Sequence, residues 1–273
     1  MALTINSNIA SLNAANGINK AREDKDGISE RLSSGKRLNK ASDDPASLAI
    51  ALQLASGAEL NGVASRNISD GISTLSVADG GLSQASEITT RLAELSQQAA
   101  NGTVNDEQRA ALNEEFQQLS AELDRISTTT EFNGQQLLSG GDPITIQAGT
   151  DGGGNSQINV STPNVSAASL GLPTSIATQA DAQTAVDSTQ TAVDQLAQAR
   201  AEIGAQEARL VAAQENARTE RLGQQEAAAR LIDADIAAES SRLASANVRE
   251  QASVAVQAQA NVQPAVALDL LKG

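Results

Sequence analysis

The sequence predicts a mainly α-helical protein: a long antiparallel coiled-coil bundle carrying one small β-hairpin, with N- and C-terminal helices paired. Three observations carry this. The apolar content, 40% of residues, is mostly Ala, Leu, Ile and Val, with 2 Phe and no Trp or Tyr. Ala and Leu favour helix, and without aromatic bulk the packing must be thin and long rather than thick. Apolar residues also recur at steps of three and four over long windows, as a coiled-coil seam requires. Only Ile144–Gln147 and Gln157–Val160 alternate apolar and polar residues as half-buried strands do.

The first segment, residues 1–44, carries a narrow apolar stripe at Ile5, Ile9 and Leu12 that resumes at Ile28 and Leu32. So little apolar surface makes a marginal helix, one expected to order only against a partner. Ser33, Ser34 and Gly35 are stop signals. Asp44 and Pro45 then start a new helix: the carboxylate caps free N–H groups, and proline suits the first helical position.

That second helix is expected from Pro45 to about Ala100, with Leu48, Leu52, Ala55, Ile68, Ile72, Leu75, Leu82, Ala85, Ile88, Leu92, Leu95 and Ala99 along its seam. Glycines at 57, 62, 71, 80 and 81 mark kinks or close helix approach. Asn101-Gly102 suits a left-handed helix end. Asn105 with Gln108 reads as a capping box. Leu112, Phe116, Leu119, Leu123 and Ile126 then give the cleanest seam of the chain, on a helix that must fold back antiparallel.

Residues 139–175 differ in character. The two alternating stretches flank Asp151-Gly152-Gly153-Gly154-Asn155, a permissive turn, and read as one hairpin. From about Asp181 helix returns: Leu196, Ile203, Leu210 and Ala217 stand one heptad apart, with Val186 and Val193 on a second line. The organisation is therefore terminal segments at 1–44 and 231–273, rod halves at 45–138 and 176–230, and the hairpin with its loop at 139–175.

The net charge of −14 lacks the basic footprint that a phosphate backbone requires. Met1–Lys40 is locally basic, with seven basic against four acidic residues. There is no Cys, hence no disulfide and no thiolate metal site, and no His to serve as general base or ligand. Ser33-Ser34-Gly35-Lys36 matches a serine–lysine nucleophile pattern loosely, but no Lys-Thr-Gly accompanies it, and it reads as a turn. Arg37 stands where a P-loop needs Ser or Thr. Asp43-Asp44 reads as a cap. Asp233 and Asp235, two apart, are expected on different helix faces and do not converge on a cation. Asp151 lacks further acidic ligands. The prediction is no catalytic residue, no metal, no cofactor and no enzyme. No stretch has the length of a membrane span, and the N-terminus lacks the pattern of a cleaved secretory signal.

Several of these stretches together resemble bacterial flagellins. Leu-Ser-Ser-Gly-Lys-Arg-Leu-Asn-Lys-Ala-Ser-Asp-Asp-Pro-Ala from Leu32 is similar to the family's N-terminal signature, preceded by Ile5-Asn6-Ser7-Asn8 and Ser11-Leu12-Asn13. Ser65–Ser73, Gln97–Thr103 and Phe132-Asn133-Gly134 follow the family's wording. So do Ala199–Gln206, Ile232–Glu239 and, with one change, Gln259-Ala260-Asn261-Val262-Gln263-Pro264. The middle is too short for the large variable domain that many members insert.

The resemblance implies a structural subunit that self-assembles head-to-tail into the extracellular filament of the bacterial flagellum, for swimming motility. It implies export through the flagellum's own channel without a cleaved signal peptide. Terminal apolar stripes that one chain cannot cover would be sheltered by other copies, and a head-to-tail contact propagates into a helical polymer. The candidate subunit-interface residues are Ile5, Ile9, Leu12, Leu32, Arg91, Leu95, Leu268, Leu270 and Leu271. Implied partners are other copies, the flagellar cap, junction proteins and an export chaperone. No nucleic acid and no membrane is expected. A host innate receptor reads a family stretch similar to Ile88–Leu95. Arg91, Glu94 and Leu95 match it, whereas Thr89, Thr90 and Ala93 depart, so recognition should be weak or absent. Two alternatives stand beside this reading: a hook–filament junction protein with the same terminal signatures, and a soluble coiled-coil adapter.

Overall fold

The structure is a computed structural model that describes the backbone of residues 8–272 and the side chains of residues 8–262. Its elements follow in order: α1 (Ile9–Ser34), α2 (Pro45–Ala100), α3 (Asp106–Thr129), β1 (Glu131–Phe132), β2 (Gln135–Gln136), β3 (Ile144–Gln147), β4 (Gln157–Val160), α4 (Gln179–Ile232) and α5 (Ile236–Lys272). The chain divides into two compact units, one of residues 1–56 and 223–273, the other of residues 57–222.

The larger unit, residues 57–222, is organised by heptads. On α2 one line runs Asn61, Ile68, Leu75, Leu82, Thr89, Ser96, and a second runs Ala64, Gly71, Ala78, Ala85, Leu92, Ala99; every member is buried. On α4 the buried line is Ala182, Thr189, Leu196, Ile203, Leu210 and Ala217. A strict seven-residue period keeps one stripe facing its partners along the whole helix. Phe116, Leu123 and Ile126 of α3 close the same core, with Leu112 and Leu119 packed at its edge. The buried polar members stay satisfied: Thr89, Ser96 and Thr189 each donate a hydroxyl to a carbonyl four residues back.

The expected α3 cap is present: Asn105 Oδ1 accepts from the Gln108 N–H at 2.8 Å, and the Gln108 side chain accepts from the Asn105 N–H at 3.2 Å. Asn101-Gly102 does not adopt the expected left-handed geometry. Instead Asn101 Oδ1 accepts from the Thr103 N–H, so a side chain turns the backbone.

Among the described residues two strand pairs form rather than one. β3 and β4 pair antiparallel, Ile144 with Val160 through Gln147 with Gln157. β1 and β2 make a smaller pair about Asn133 (φ 51°) and Gly134 (φ 78°), a two-residue turn that requires left-handed backbone. β3 and the residues flanking the β1–β2 pair approach α2 where it lacks a side chain. A Cβ at Gly71 would overlap Ile146 Cδ1, and one at Gly81 would stand 2.7 Å from Leu138 Cδ1. These glycines therefore mark close approach, and α2 continues through them as one helix.

In the smaller unit, residues 1–56 and 223–273, α1 packs on α5. Gly35 ends α1 with φ 69°, the left-handed stop the sequence announces. Asp44 Oδ1 accepts from the Ser47 N–H at 3.1 Å, and Pro45 is the first residue of α2. The α2 seam is offset here from the expected one: Ala51 is buried, whereas Leu52 and Ala55 are exposed and Leu48 is half-buried. Asp233 and Asp235 are not on helix faces at all. They occupy a break between α4 and α5, where Asp235 Oδ1 accepts from the N–H groups of Ala237 and Ala238 as the cap of α5.

Candidate assembly interface

The terminal hairpin of α1 and α5 is held along its length. At its open end the Asn8 side-chain amide donates to the Ala260 carbonyl at 2.9 Å. Further in, Arg22 Nε and Lys25 Nζ donate to the two carboxylate oxygens of Glu250 at 3.1 and 3.2 Å, and Asp24 pairs with Arg249 at 3.5 Å. Arg22 and then Lys25 hold the Glu250 carboxyl below the usual glutamate range. Glu239 is 4% exposed and pairs with Arg31 of α1 and Arg242 of its own helix. At the base, Lys36 bridges Asp233, and the Ala234 N–H donates to the Gly35 carbonyl at 2.9 Å.

The linker after α1 is closed by its own polar groups. Asp43 Oδ2 accepts from the N–H groups of Lys40 and Asn39, and those bonds hold its carboxyl below the ordinary range. Ser34 Oγ accepts from the Lys36 N–H and from the Asn39 amide, so the serine–lysine pattern is a turn in this structure.

The apolar residues of this hairpin split between two faces. Ala14, Ile18, Ala21 and Ile28 of α1 and Ala246 and Ala260 of α5 are buried between the helices. Ile9 and Leu12 face out, 61% and 64% exposed, as do Val248, Val254, Val256 and Val262. The predicted stripe is thus two stripes: Ile9 and Leu12 are uncovered, Ile28 is buried on α5, and Leu32 is half-buried. Ile5 lies outside the described residues, and the side chains of Leu268, Leu270 and Leu271 do too. The remaining two lie in the larger unit. Arg91 donates Nε and a terminal nitrogen to Glu115 at 3.1 and 2.8 Å and the other nitrogen to Glu94 at 2.9 Å. Leu95 has no exposed surface and belongs to its own chain's core, which corrects its place among the interface residues.

Hydropathy missed Ala14, Ala21, Ala246 and Ser253, because small residues carry little signal even where they set the closest contacts. Their seven-residue spacing was the available clue. Charge is divided as unevenly as apolar surface. Residues 1–56 and 223–273 hold 11 basic and 12 acidic residues, whereas residues 57–222 hold 8 and 21. The latter eight are all Arg; every Lys lies in the smaller unit. Among the described residues, no three His, Cys, Asp or Glu side chains group to hold a metal ion, and no helix is long and apolar enough to cross a membrane.

Heptad-seamed helices, paired termini and an apolar outer face on that pair define a helical structural subunit. Two family models match the chain: the bacterial flagellin N-terminal helical region over residues 5–142 and the C-terminal helical region over residues 186–271. The chain belongs to the bacterial flagellin family and is a structural subunit of the flagellar filament, a homopolymer. A flagellin of Halalkalibacterium halodurans is 37% identical over 276 residues, covering 99% of this chain and 100% of that one. The B-type flagellin of Pseudomonas aeruginosa is 42% identical over 172 residues, which cover 63% of this chain but 35% of that longer protein. The crystal structure of Bacillus cereus flagellin aligns with TM-score 0.50 and 31% identity over 56% of this chain and 88% of that one. The chain is therefore a short form without a large central domain.

Proposed function

We propose that the α1–α5 hairpin forms the inner tube of the filament and that residues 45–230 form the wall around it. The terminal segments would be 1–44 and 231–273, the rod halves 45–138 and 176–230, and the strand region 139–175. The observation that carries this is the exposed outer face of the hairpin: Ile9, Leu12, Val248, Val254, Val256 and Val262. Covering a fully exposed aliphatic side chain is worth roughly 1.5–3 kcal/mol, so covering these six, each about half exposed, gives about 5–10 kcal/mol towards the cost of association. The division of charge supports the same placement. A nearly neutral unit can be packed densely against its copies, while a strongly acidic one repels its neighbours unless counterions reach it.

Head-to-tail addition would bring further partners: the flagellar cap, junction proteins, and an export chaperone on the C-terminal helix. Host innate recognition is weak or absent in this reading. Thr89 and Leu95 are buried, and Arg91 is already engaged by Glu115 and Glu94. Full potency in a receptor reporter assay at picomolar dose would refute that part.

Seeded growth tests the main proposal. Purified chain should elongate filament seeds, and chain lacking residues 1–44 should not, although the helices of residues 57–222 remain folded by circular dichroism. A junction protein would cap seeds instead of extending them. Unimpaired elongation by the truncated chain would refute the role given to the hairpin.

A further inference from the structure

The contact between α1 and α5 poses a problem of register. On α5, residues 239, 246, 253 and 260 form one heptad line, and its members are Glu, Ala, Ser and Ala. They face an α1 line of Ala14, Ala21 and Ile28. Ala246, Ser253 and Ala260 are close in volume, so sliding α5 by one heptad against α1 changes the packing little. Register in such a stripe must come from something other than shape.

The outer ion pairs of Glu250 with Arg22 and Lys25 and of Asp24 with Arg249 are screened by solvent and hold register weakly, which leaves two features that could supply it. One is the backbone bridge at the base, where Gly35, Lys36 and Arg37 meet Ile232, Asp233 and Ala234. Its N–H and C=O groups are the same in every residue. The other is Glu239, the single buried charged residue among the described side chains of the hairpin. Its Oε1 lies 3.5 Å from Arg31 Nε and 2.7 Å from an Arg242 terminal nitrogen. Its Oε2 and the Arg31 Nε are both buried without a hydrogen-bond partner. An ion pair satisfied this incompletely adds little stability. It is nevertheless sensitive to displacement. A slip of one heptad sets Glu239 against Asp24, a like charge, in one direction and carries it past the end of α1 at Ser34 in the other. Either takes the buried carboxylate away from Arg31 and leaves it only Arg242 of its own helix.

We propose that Glu239 is the positioning residue that sets the register of the terminal hairpin. It contributes specificity rather than strength, by making every other heptad alignment of the small-residue seam costly. The proposal rests on the pairing of α1 with α5, not on filament growth.

The chain has no cysteine, so engineered pairs report register directly. A Cβ at Gly17 would stand 3.6 Å from Ser253 Oγ. Gly17→Cys with Ser253→Cys therefore reads the native register. Gly17→Cys with Ala246→Cys or Ala260→Cys reads a slip of one heptad either way. Full-length chain oxidised in solution should give the 17–253 adduct, with each slipped adduct at least about tenfold slower; its failure to form would refute the pairing itself and the proposal with it. Adding Glu239→Ala should raise the slipped adducts at least about tenfold. Moving the carboxylate, by Glu239→Ala with Ala246→Glu, should shift the dominant adduct from 17–253 to 17–260, since the relocated carboxylate would then seek Arg31. A residue that merely stabilised the hairpin would not produce that shift. If 17–253 stays dominant in both variants, the bridge or the outer ion pairs set the register and the proposal fails. If every adduct disappears, Glu239 is needed for pairing rather than for register, and it fails equally. Seeded elongation of the same variants is scored separately and bears on the filament reading alone.

Discussion

The Arg109 side chain reaches from the first turn of α3 to the end of α2, and its Nε donates to the carbonyl of Ala99 at 2.9 Å. A terminal nitrogen donates to the Val104 carbonyl at the same distance, so one buried guanidinium ties off the last turn of α2 and the loop that follows. Its ion pair with Asp106 is a different matter, because Asp106 is fully exposed. Arg109→Ala should cost about 3 kcal/mol, from charged hydrogen bonds lost and carbonyls stranded. Asp106→Ala should cost less than about 1 kcal/mol, since solvent screens the pair. Urea unfolding followed by circular dichroism compares the two, and equal losses would contradict this account.

Gly80 and Gly81 are neighbours with opposite predicted responses. Nothing lies within 4 Å of a Cβ at Gly80, and Ala there should stabilise by about 0.5–1 kcal/mol through helix propensity. At Gly81 the new carbon meets Leu138 and Thr130, and Ala should destabilise by about 1–3 kcal/mol. Thermal melts of the two single variants check the sign. A shared direction would mean that the contact with the strand region does not constrain α2.

Acid should loosen the terminal hairpin. Glu250, hydrogen-bonded by Arg22 and Lys25, is more acidic in the folded chain than an ordinary glutamate. A lowered folded-state pKa gives stability that is fully present above the unfolded value, near 4.5, and lost as pH falls through the folded one. Amide exchange of α1 and α5 should therefore rise as pH drops below the glutamate range, after correction for the intrinsic rate. Glu250→Gln should flatten that response. An unchanged profile would show that the pair does not couple to the hairpin.

Leu12→Asp and Val248→Asp should leave the hairpin paired and block polymerisation, because both side chains face away from it. A carboxylate trapped in an apolar contact costs several kcal/mol. Seeded elongation should fall at least about a hundredfold, while the Gly17→Cys/Ser253→Cys adduct still forms. Normal growth of either variant would place the interface elsewhere.

Residues whose own chemistry dictates their conformation were legible in the sequence. The Asn105/Gln108 cap, the Gly35 stop and the Asp44-Pro45 start follow from local hydrogen bonding and sterics. The large aliphatics of α3 and the later part of α4 announce their seam by size. Ala182 and Thr189 extend the α4 line just as strictly, yet Ala and Thr bury too little apolar area to stand out. The same holds for Ala51, buried where Leu52 was expected. The break at Asp233–Asp235 interrupts a stretch whose composition is helical on both sides, and only the capping carboxylate betrays it. Which terminal residues face α5 and which face out depends on the partner's surface, which periodicity on one helix does not contain.

The confinement of lysine has a practical side. Residues 57–222 offer no primary amine, and guanidinium groups do not react with succinimidyl esters or aldehydes under ordinary conditions. Dyes, biotin tags and glutaraldehyde attach to this flagellin only through the unit of its two ends, so imaging the acidic unit calls for thiol chemistry at a cysteine introduced there.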